Sequence, residues 1–346
     1  MADGPEVAVI VGDYGRRRYL ASAVRSLAEQ TLPRSRFEVV VTKTYPDSEL
    51  DRSLEASGAT VLLDEEPRIG RWLRRAVTAS HAPIVTILDD DDEFTPERLA
   101  HLLAVFRQYP DLGFYRNRVS VIDRDGRPIP SERWRSLETD GAFDDLGPVH
   151  VGSDADGRLL DLAAHRTHVT FNSSTMAFRR ELLDGEVGDA FERTQLPDQF
   201  LFLAGVLARR GFFLDDRRLT RYRYYPGNVT REIRWLGRAE ASYLDMVRVA
   251  ARGERPDWAA WLTQRATHYG RLFRGSGLVE RVAAGASRRE VAERTGEYLR
   301  YLGRHPEERR WTLDTWAAAG YGASYLPFAP WVARFARARG ARRSTA

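Results

Sequence analysis

A short apolar run that ends in a block of carboxylates restricts the folds open to this chain more than any other feature. The run is Pro83–Leu88, and four consecutive aspartates follow it at positions 89 to 92. Thr95-Pro96-Glu97 then opens a predicted helix, because proline is favoured in the first helical turn. The acids are therefore predicted at the carboxyl end of a buried strand, where open α/β sheets place their ligands.

The aspartate block also indicates a kind of chemistry. Adjacent carboxylates repel one another at neutral pH, and a hard divalent cation relieves that repulsion through oxygen ligands. The block therefore predicts a metal site for a phosphorylated substrate. A solvated acidic loop is the alternative, and it is the commoner explanation of an isolated acidic run. The strand before the block and the helix after it favour the metal site here.

Composition sets the outer limits. The 346 residues, 43% of them hydrophobic, suffice for one large domain with an appendage or for two domains. The chain has no cysteine, which excludes disulfides and thiolate metal sites. It shows no targeting segment and no apolar run of spanning length, so we expect a soluble, cytoplasmic protein. The net charge is +4, but acids and bases are interleaved, which argues against a nucleic-acid partner.

Strand and helix patterns alternate in the first part of the chain. The predicted strands are Val7–Val11, Phe37–Thr42, Thr60–Leu63 and Ile84–Leu88, and the predicted helices are Tyr19–Gln30, Ile69–Ala79 and Pro96–Tyr109. This alternation predicts the α/β class, with a mainly parallel sheet flanked by helices.

The pattern is less regular from residue 113 to about residue 230. The predicted elements are a hairpin from Gly113–Ile122 into Arg127–Ile129, a long loop over 131–166, a mixed strand at Val169–Arg179, a helix at Asp198–Arg209, and short strands at Phe212–Leu214 and Leu219–Tyr225. Helical spacing then dominates, with candidates at 232–252, 257–273, 287–303 and 307–318. We therefore predict a catalytic domain at 1–230 and an all-helical C-terminal domain at 231–346.

The acidic segment resembles a known family motif. Leu88, Asp89, Asp91, Asp92, Phe94, Pro96 and Leu99 match, in order, the strand-end motif of the family 2 glycosyltransferases, which have the GT-A fold. The resemblance implies that Asp91 binds Mg²⁺ or Mn²⁺. It also implies that Asp89 lies against the nucleotide ribose and the metal and that Asp92 supports the sugar pocket. Asp90 is assigned with them to the donor site.

Other donor positions follow from the same resemblance. The turn Gly12-Asp13-Tyr14 matches the segment that holds the nucleotide base, and its glycine permits close backbone approach to a ligand. The second strand lacks the family's uracil-reading acid and has Lys43 in its place. A UDP donor is therefore in doubt, and dTDP or GDP donors become plausible. Arg75 matches a position that lines the nucleotide, and we predict a diphosphate contact from it.

The resemblance extends to the catalytic base. Asp198 takes the position of the base at a helix start, and Arg221-Tyr222-Arg223 and Gly227-Asn228 follow it in the family's order. Alone, an acid at a helix start is an ordinary cap. Arg223 is predicted to assist the diphosphate. Tyr225 replaces a frequent histidine, so that histidine metal ligand is missing.

A polar segment before the base supplies the last candidates. His165 and His168 are three residues apart, but on an extended segment they point to opposite faces, which argues against a shared metal. We assign His168 and Asn172, with Asp92, to the acceptor or sugar pocket.

The predicted reaction is inverting transfer of a sugar from a nucleotide-diphosphate sugar to an acceptor hydroxyl with a divalent metal. The alternatives are a nucleotidylyltransferase of similar sheet topology and a catalytically silent sugar-nucleotide-binding protein. The acceptor is left open between a small molecule, a lipid carrier and a glycan. The helical part is open between completing the acceptor site, forming a homodimer and contacting a membrane surface peripherally.

Overall fold

The computed structural model describes residues 4–66, 68–130, 148–152, 156–165, 167–225, 233–283 and 287–306. The first part alternates as predicted. Its elements are β1 (Val7–Asp13), α1 (Arg17–Ala28), β2 (Phe37–Lys43), α2 (Ser48–Ala56), β3 (Ala59–Leu63), α3 (Ile69–Ala79) and β4 (Ile84–Asp89). Strands β3, β2, β1 and β4 pair in that order and all run parallel. The apolar side chains of β1 and β4 are buried on both faces, as expected for parallel strands covered by helices.

The sheet continues with mixed strand directions. The next elements are β5 (Glu93–Phe94), α4 (Arg98–Gln108), β6 (Leu112–Ile122), β7 (Val149–Val151), α5 (Asp156–His165), β8 (Met176–Arg179), α6 (Gly185–Phe191), α7 (Pro197–Leu207) and β9 (Gly211–Arg223). In the described residues the sheet order is β3-β2-β1-β4-β8-β6-β9-β5, with β7 paired to β9. Strand β8 runs antiparallel to both β4 and β6, and β9 runs parallel to β6. The predicted α/β class with a mainly parallel, helix-flanked sheet is confirmed.

Several predicted elements were wrong in detail. Helix α2 was not predicted, because only two leucines, Leu50 and Leu54, mark its inner face. The Asp47 carboxylate caps the helix by accepting from Leu50 N at 3.2 Å. The predicted strand Val169–Arg179 overlaps two 3-10 turns, Thr167–Thr170 and Ser173–Thr175, and only its last four residues form β8. The predicted loop over 131–166 contains β7 and α5, and its residues 131–147 lie outside the described part.

The two short strands predicted after residue 211 form one continuous strand, β9. An exposed polar stretch interrupts its apolar alternation at Asp216–Arg218, where the register with β6 shifts. Because of this interruption, the alternation of apolar and polar residues indicated two short strands instead of one. The predicted hairpin turn is confirmed: Asp123 N donates to Arg127 O at 2.8 Å, and Gly126 adopts a φ of +84°.

Three long helices follow: α8 (Ile233–Arg252), α9 (Pro256–Ala283) and α10 (Arg288–Arg304). They confirm the first three helical predictions, although α9 extends ten residues beyond its predicted end at 273. Helix α10 begins with a capping box between Ser287 and Glu290. The helix predicted at 307–318 lies outside the described residues. Within those residues, no helix combines the length and the apolar composition needed to cross a membrane.

The chain divides into two compact units, Met1–Tyr225 with Arg248–Trp258, and Pro226–Val247 with Ala259–Ala346. The second unit has its own polar and aromatic contacts. The rings of Tyr243 and Tyr269 stack with centroids 5.4 Å apart, and Tyr301 donates through its hydroxyl to Thr267 O at 2.6 Å. Arg274 bonds to Glu240 at 2.8 Å. These contacts join neighbouring helices inside that unit.

Candidate active site

The parallel strands bring the predicted donor residues to one edge of the sheet. In the register, Gly12 of β1 is opposite Asp89 of β4, and Asp13 is opposite Lys43 of β2. Because parallel strands share one carboxyl edge, these side chains are neighbours. The backbone N–H of Asp90 then donates to Gly12 O at 3.1 Å, which fixes the acidic loop against the end of β1.

Asp90 is fully buried and organises the turn after β1. Its Oδ2 accepts from the backbone N–H groups of Tyr14 at 2.9 Å and Arg16 at 3.2 Å, and its Oδ1 accepts from Arg16 Nε at 2.7 Å. Burial raises the pKa of Asp90 to about 7, although the Arg16 charge opposes the shift. The Asp90 carboxylate therefore holds the predicted nucleotide-binding turn in place.

Asp91 and Asp92 point to different partners. The Oδ2 atom of Asp91 accepts from Arg16 Nη1 and from the hydroxyl of Tyr225, the latter at 3.0 Å. Asp92 accepts from Arg223 N and from Asn172 Nδ2, each at 2.9 Å. Burial, followed by the charges of neighbouring aspartates, raises the pKa of Asp92 well above its usual value. The structure thus brings together Asp92 and Asn172, two of the residues predicted for the sugar or acceptor pocket.

Asp89 is the most open of the four aspartates, and two serines hold it. Its Oδ2 accepts from Ser173 Oγ at 2.8 Å, and its backbone N–H donates to Ser174 Oγ at 3.0 Å. Burial and the charge of Asp91 raise the pKa of Asp89 to about 6. Asp89 and Asp91 therefore repel each other while both are ionised.

The charges of this pair suit a small divalent cation, which the sequence predicts at this place. Among the residues that the structure describes, no three His, Asp or Glu side chains form a metal-binding group by themselves. Mg²⁺, however, is commonly held by one or two carboxylates together with substrate phosphates. Asp89 and Asp91 would supply the carboxylates of such a site, and a bound cation would relieve the repulsion between them.

The turn after β1 carries an aromatic pair. The ring of Tyr14 packs edge-on against Trp72 of α3, with centroids 5.1 Å apart. A Cβ atom on Gly12 would lie 2.9 Å from the Trp72 ring, so this position requires glycine for packing. Asp13 is buried and accepts from Tyr45 Oη at 2.5 Å and from Gly15 N at 2.8 Å. The carboxylate of Asp13 thus stabilises the turn, and its predicted donor contact is untested.

Lys43 and Arg75 each have an acidic partner in this structure. The buried ammonium of Lys43 contacts the Asp51 carboxylate of α2. Arg75 lies 2.7 Å from Oδ2 of Asp64, just after β3, and this guanidinium lowers the pKa of Asp64 against the opposing effect of burial. The predicted donor contacts of these two cations remain predictions.

Arg223, predicted to assist the diphosphate, braces the acidic loop from β9. It donates through Nε to Asp91 O at 2.8 Å and through Nη2 to Glu93 Oε1 at 2.6 Å. His168 lies in the 3-10 turn Thr167–Thr170, and its side chain is outside the described part, so its assignment to the acceptor pocket is not examined by the structure.

Asp198 lies in the first turn of α7, directly after Pro197. Its side chain is only partly buried, and Oδ1 accepts from Gln199 N at 2.9 Å. Burial and the charge of Asp89 raise the pKa of Asp198 to about 7. A carboxylate that gains and loses a proton near neutrality suits general-base chemistry.

Sequence reasoning missed the polar residues that support the site from below. Arg98 is fully buried and donates to Thr86 Oγ1 at 2.9 Å and to Asn117 Oδ1 at 3.0 Å. Asn117 in turn donates to Thr220, whose hydroxyl donates to Ser174 O at 3.0 Å. This chain of hydrogen bonds leads to the serines that hold Asp89. It joins helix α4, the three strands β4, β6 and β9, and a 3-10 turn, which are distant in sequence, so no local pattern could have revealed it.

The fold and the site together define an α/β domain with an acidic strand end. The family model described as glycosyl transferase family 2 matches residues 8–184, and the chain belongs to this family. It is accordingly a glycosyltransferase, and the match favours that class over the nucleotidylyltransferase alternative. A search of curated proteins finds no match.

Solved structures share the fold. This chain is similar to the crystal structure of S. aureus TarS 1–349 in complex with UDP-GlcNAc, with a TM-score of 0.57 and 16% sequence identity. The match covers 93% of each chain. The complex with UDP gives a TM-score of 0.55 and 16% identity, and covers 91% of this chain and 87% of the other. Against the longer S. aureus TarS chain, at a TM-score of 0.47, this chain spans 39% of its length.

Proposed function

We propose that this glycosyltransferase moves a sugar from a nucleotide-diphosphate sugar to an acceptor hydroxyl, with inversion at the anomeric carbon and with Mg²⁺ or Mn²⁺ bound. One observation supports the proposal: Asp198 begins α7, and burial and the charge of Asp89, at the acidic end of β4, raise its pKa to about 7. The start of α7 and the acidic end of β4 would thus supply the two functions that the reaction needs.

The donor end of the site is built from β1 and β4. The partly exposed ring of Tyr14, fixed by Trp72, is a surface for the nucleotide base. Asp89 and Asp91 would hold the cation next to the diphosphate. The chemistry that such a cation supplies when bound is Lewis-acid stabilisation of the leaving diphosphate.

The acceptor end of the site depends on Asp198. Its ionised carboxylate takes the proton from the acceptor hydroxyl as the acceptor oxygen forms a bond to the anomeric carbon. The bond between that carbon and the diphosphate oxygen breaks, and the diphosphate leaves with the electron pair. Attack opposite to the leaving group inverts the anomeric configuration. Asp92 and Asn172, bonded to each other at 2.9 Å, are assigned to the sugar pocket.

The nucleotide is chosen on two opposing observations. The missing acid after β2 argues against UDP, and Lys43 at this place is engaged with Asp51. TarS, which shares the fold, has been solved with UDP and with UDP-GlcNAc. UDP-GlcNAc is therefore tested first, and dTDP- and GDP-sugars are kept beside it. The acceptor class is tested afterwards among small molecules, lipid carriers and glycans.

The test is a thermal-shift panel of UDP-, dTDP- and GDP-sugars with and without Mn²⁺, followed by assay of sugar release to water. A donor at 100 times its Kd stabilises the folded state by about 2.7 kcal/mol. We expect one nucleotide class to raise the melting temperature only with Mn²⁺ and then to be hydrolysed slowly. Binding without any hydrolysis or transfer favours the silent sugar-nucleotide-binding protein. No stabilisation by any donor overturns the proposal.

A further inference from the structure

Arg16 occupies the centre of the acidic strand end. It donates through Nε to Asp90 Oδ1 at 2.7 Å, and its Nη1 group contacts both Asp91 Oδ2 and the hydroxyl of Tyr225, the latter at 3.2 Å. Its side chain is 20% exposed, whereas that of Asp91 is 6% exposed. One guanidinium thus neutralises two of the four aspartates and covers an oxygen of the predicted metal ligand.

Three other cations of this edge, Lys43, Arg75 and Arg223, bond in the described residues to groups other than the Asp91 carboxylate. Lys43 contacts Asp51, and Arg75 contacts Asp64. The Arg223 guanidinium bonds to Glu93 and to the backbone oxygens of Asp91 and Asp123. The contact of Arg16 with the Asp91 carboxylate therefore bears directly on the atoms that a divalent cation would use.

A guanidinium and a divalent cation compete for the same carboxylate. They carry charges of the same sign, and they repel each other strongly at a separation of a few ångströms in a partly buried site. Asp91 Oδ2 already accepts from two donors, Arg16 and Tyr225. Arg16 also bonds to Asp90 through Nε and through its backbone N–H, so it keeps a carboxylate partner after leaving Asp91.

We propose that Arg16 is an internal counter-ion that occupies Asp91 in the metal-free enzyme and is displaced from it when Mn²⁺ or Mg²⁺ binds. The inference deepens the proposed function and depends on its metal site. It gives the protein a way to bury four aspartates before the cation arrives. Displacement also leaves a positive side chain beside the place assigned to the diphosphate, so the exchange would supply a second cation for the donor.

The test measures Mn²⁺ alone, without donor, by isothermal titration and by the EPR signal of free Mn²⁺. The variants are Arg16→Gln and, as a matched control, Arg17→Gln, whose neighbouring guanidinium is exposed and pairs with Asp47. We expect Arg16→Gln to bind Mn²⁺ at least ~10-fold more tightly than the natural protein, since a competing charge is removed. Arg17→Gln should keep the natural affinity.

Folding of the variants is checked by melting temperature. Arg16→Gln should melt lower than the natural protein without metal, and saturating Mn²⁺ should close most of that gap. Arg16→Lys keeps the charge but cannot contact Asp90 and Asp91 at once as the guanidinium does. The Mn²⁺ affinity of this variant should lie between those of the natural protein and Arg16→Gln. Unchanged or weaker Mn²⁺ binding by Arg16→Gln, with the natural protein binding normally, overturns the inference alone. Absence of Mn²⁺ binding in the natural protein and in all variants overturns the proposed metal site as well.

Discussion

Two stretches of the same sheet edge treat charge in opposite ways. At the end of β4, four aspartates crowd together, and burial raises the pKa values of Asp89 and Asp90 to about 6 and about 7. At the ends of β2 and β3, Lys43 pairs with Asp51, and Asp64 pairs with Arg75 and has a lowered pKa. The β4 end therefore retains a surplus of negative charge, whereas the β2 and β3 ends are balanced within the protein. We infer that the surplus marks the place where a ligand cation is needed.

The largest expected effect is on the rate of transfer, and it comes from changing the proposed base, Asp198. Asp198→Asn keeps the shape of the side chain but removes its capacity to accept a proton. We expect transfer to fall about 10²- to 10⁴-fold, the usual contribution of a general base. Turnover is measured with saturating donor and acceptor, and the donor Kd is measured in parallel.

Donor binding serves as the control for that variant, because Asp198 lies on α7 and not in the donor turn. An unchanged Kd with lost turnover supports the assignment. Normal turnover by Asp198→Asn refutes it.

The next effect distinguishes the β4 end from the ends of β2 and β3 directly. Asp91→Asn removes a proposed metal ligand, and we expect Mn²⁺ affinity to fall at least about 100-fold. Asp64→Asn removes an acid of the balanced edge and should leave Mn²⁺ affinity within about twofold of the natural value. Titration of both variants with Mn²⁺ checks the comparison. Equal losses in both would show that the surplus has no special role.

A third effect follows from the raised pKa values. Asp89, Asp90 and Asp198 have folded-state pKa values of about 6, 7 and 7, against 3.8 for the ordinary side chain. A raised pKa contributes stability that is complete at low pH and is lost as pH rises through the folded value. Acids with lowered pKa values, such as Asp64, change the free energy of unfolding with pH only below about pH 5, so they do not offset this loss.

We therefore expect the melting temperature of the metal-free protein to fall between pH 5.5 and pH 8, and Mn²⁺ to restore it at pH 8. Calorimetry at several pH values measures both changes. The rate of transfer should rise over the same range as Asp198 loses its proton. A melting temperature that rises steadily from pH 5.5 to pH 8 without metal would contradict the raised pKa values of these three aspartates.

The smallest expected effect is on stability, at the ends of β2 and β3, where the charges are balanced. The Arg75 side chain is 48% exposed, so its pair with Asp64 is screened by solvent. Asp64→Asn is expected to reduce the free energy of unfolding by only about 0.5–1 kcal/mol. Urea denaturation measures this difference. A loss several times larger would mean that the balanced edge supports the fold more than its exposure suggests.

The sequence alone indicated most of the parallel half of the fold, because continuous apolar strands and amphipathic helices leave strong local patterns. It located the acidic loop after β4 and the turn at Gly12–Tyr14 for the same reason. It failed at α2, which has one buried side chain, and at the segment before β8, where 3-10 turns replace an apparent strand. Helix α2 has only two apolar residues on its inner face, and the 3-10 turns are closed by local bonds such as that from Thr175 N to Asn172 O, so both leave a weak periodic signal.

What the sequence determined by itself was the class of fold, the family and the position of the carboxylates, since these depend on order and spacing along the chain. Only the tertiary structure decided how the charges are shared. Arg16 reaches Asp90 and Asp91 across more than seventy residues of sequence, and Ser173 reaches Asp89 across eighty-four. The strength of such pairings depends on distance and burial, and neither is written in the local pattern of residues.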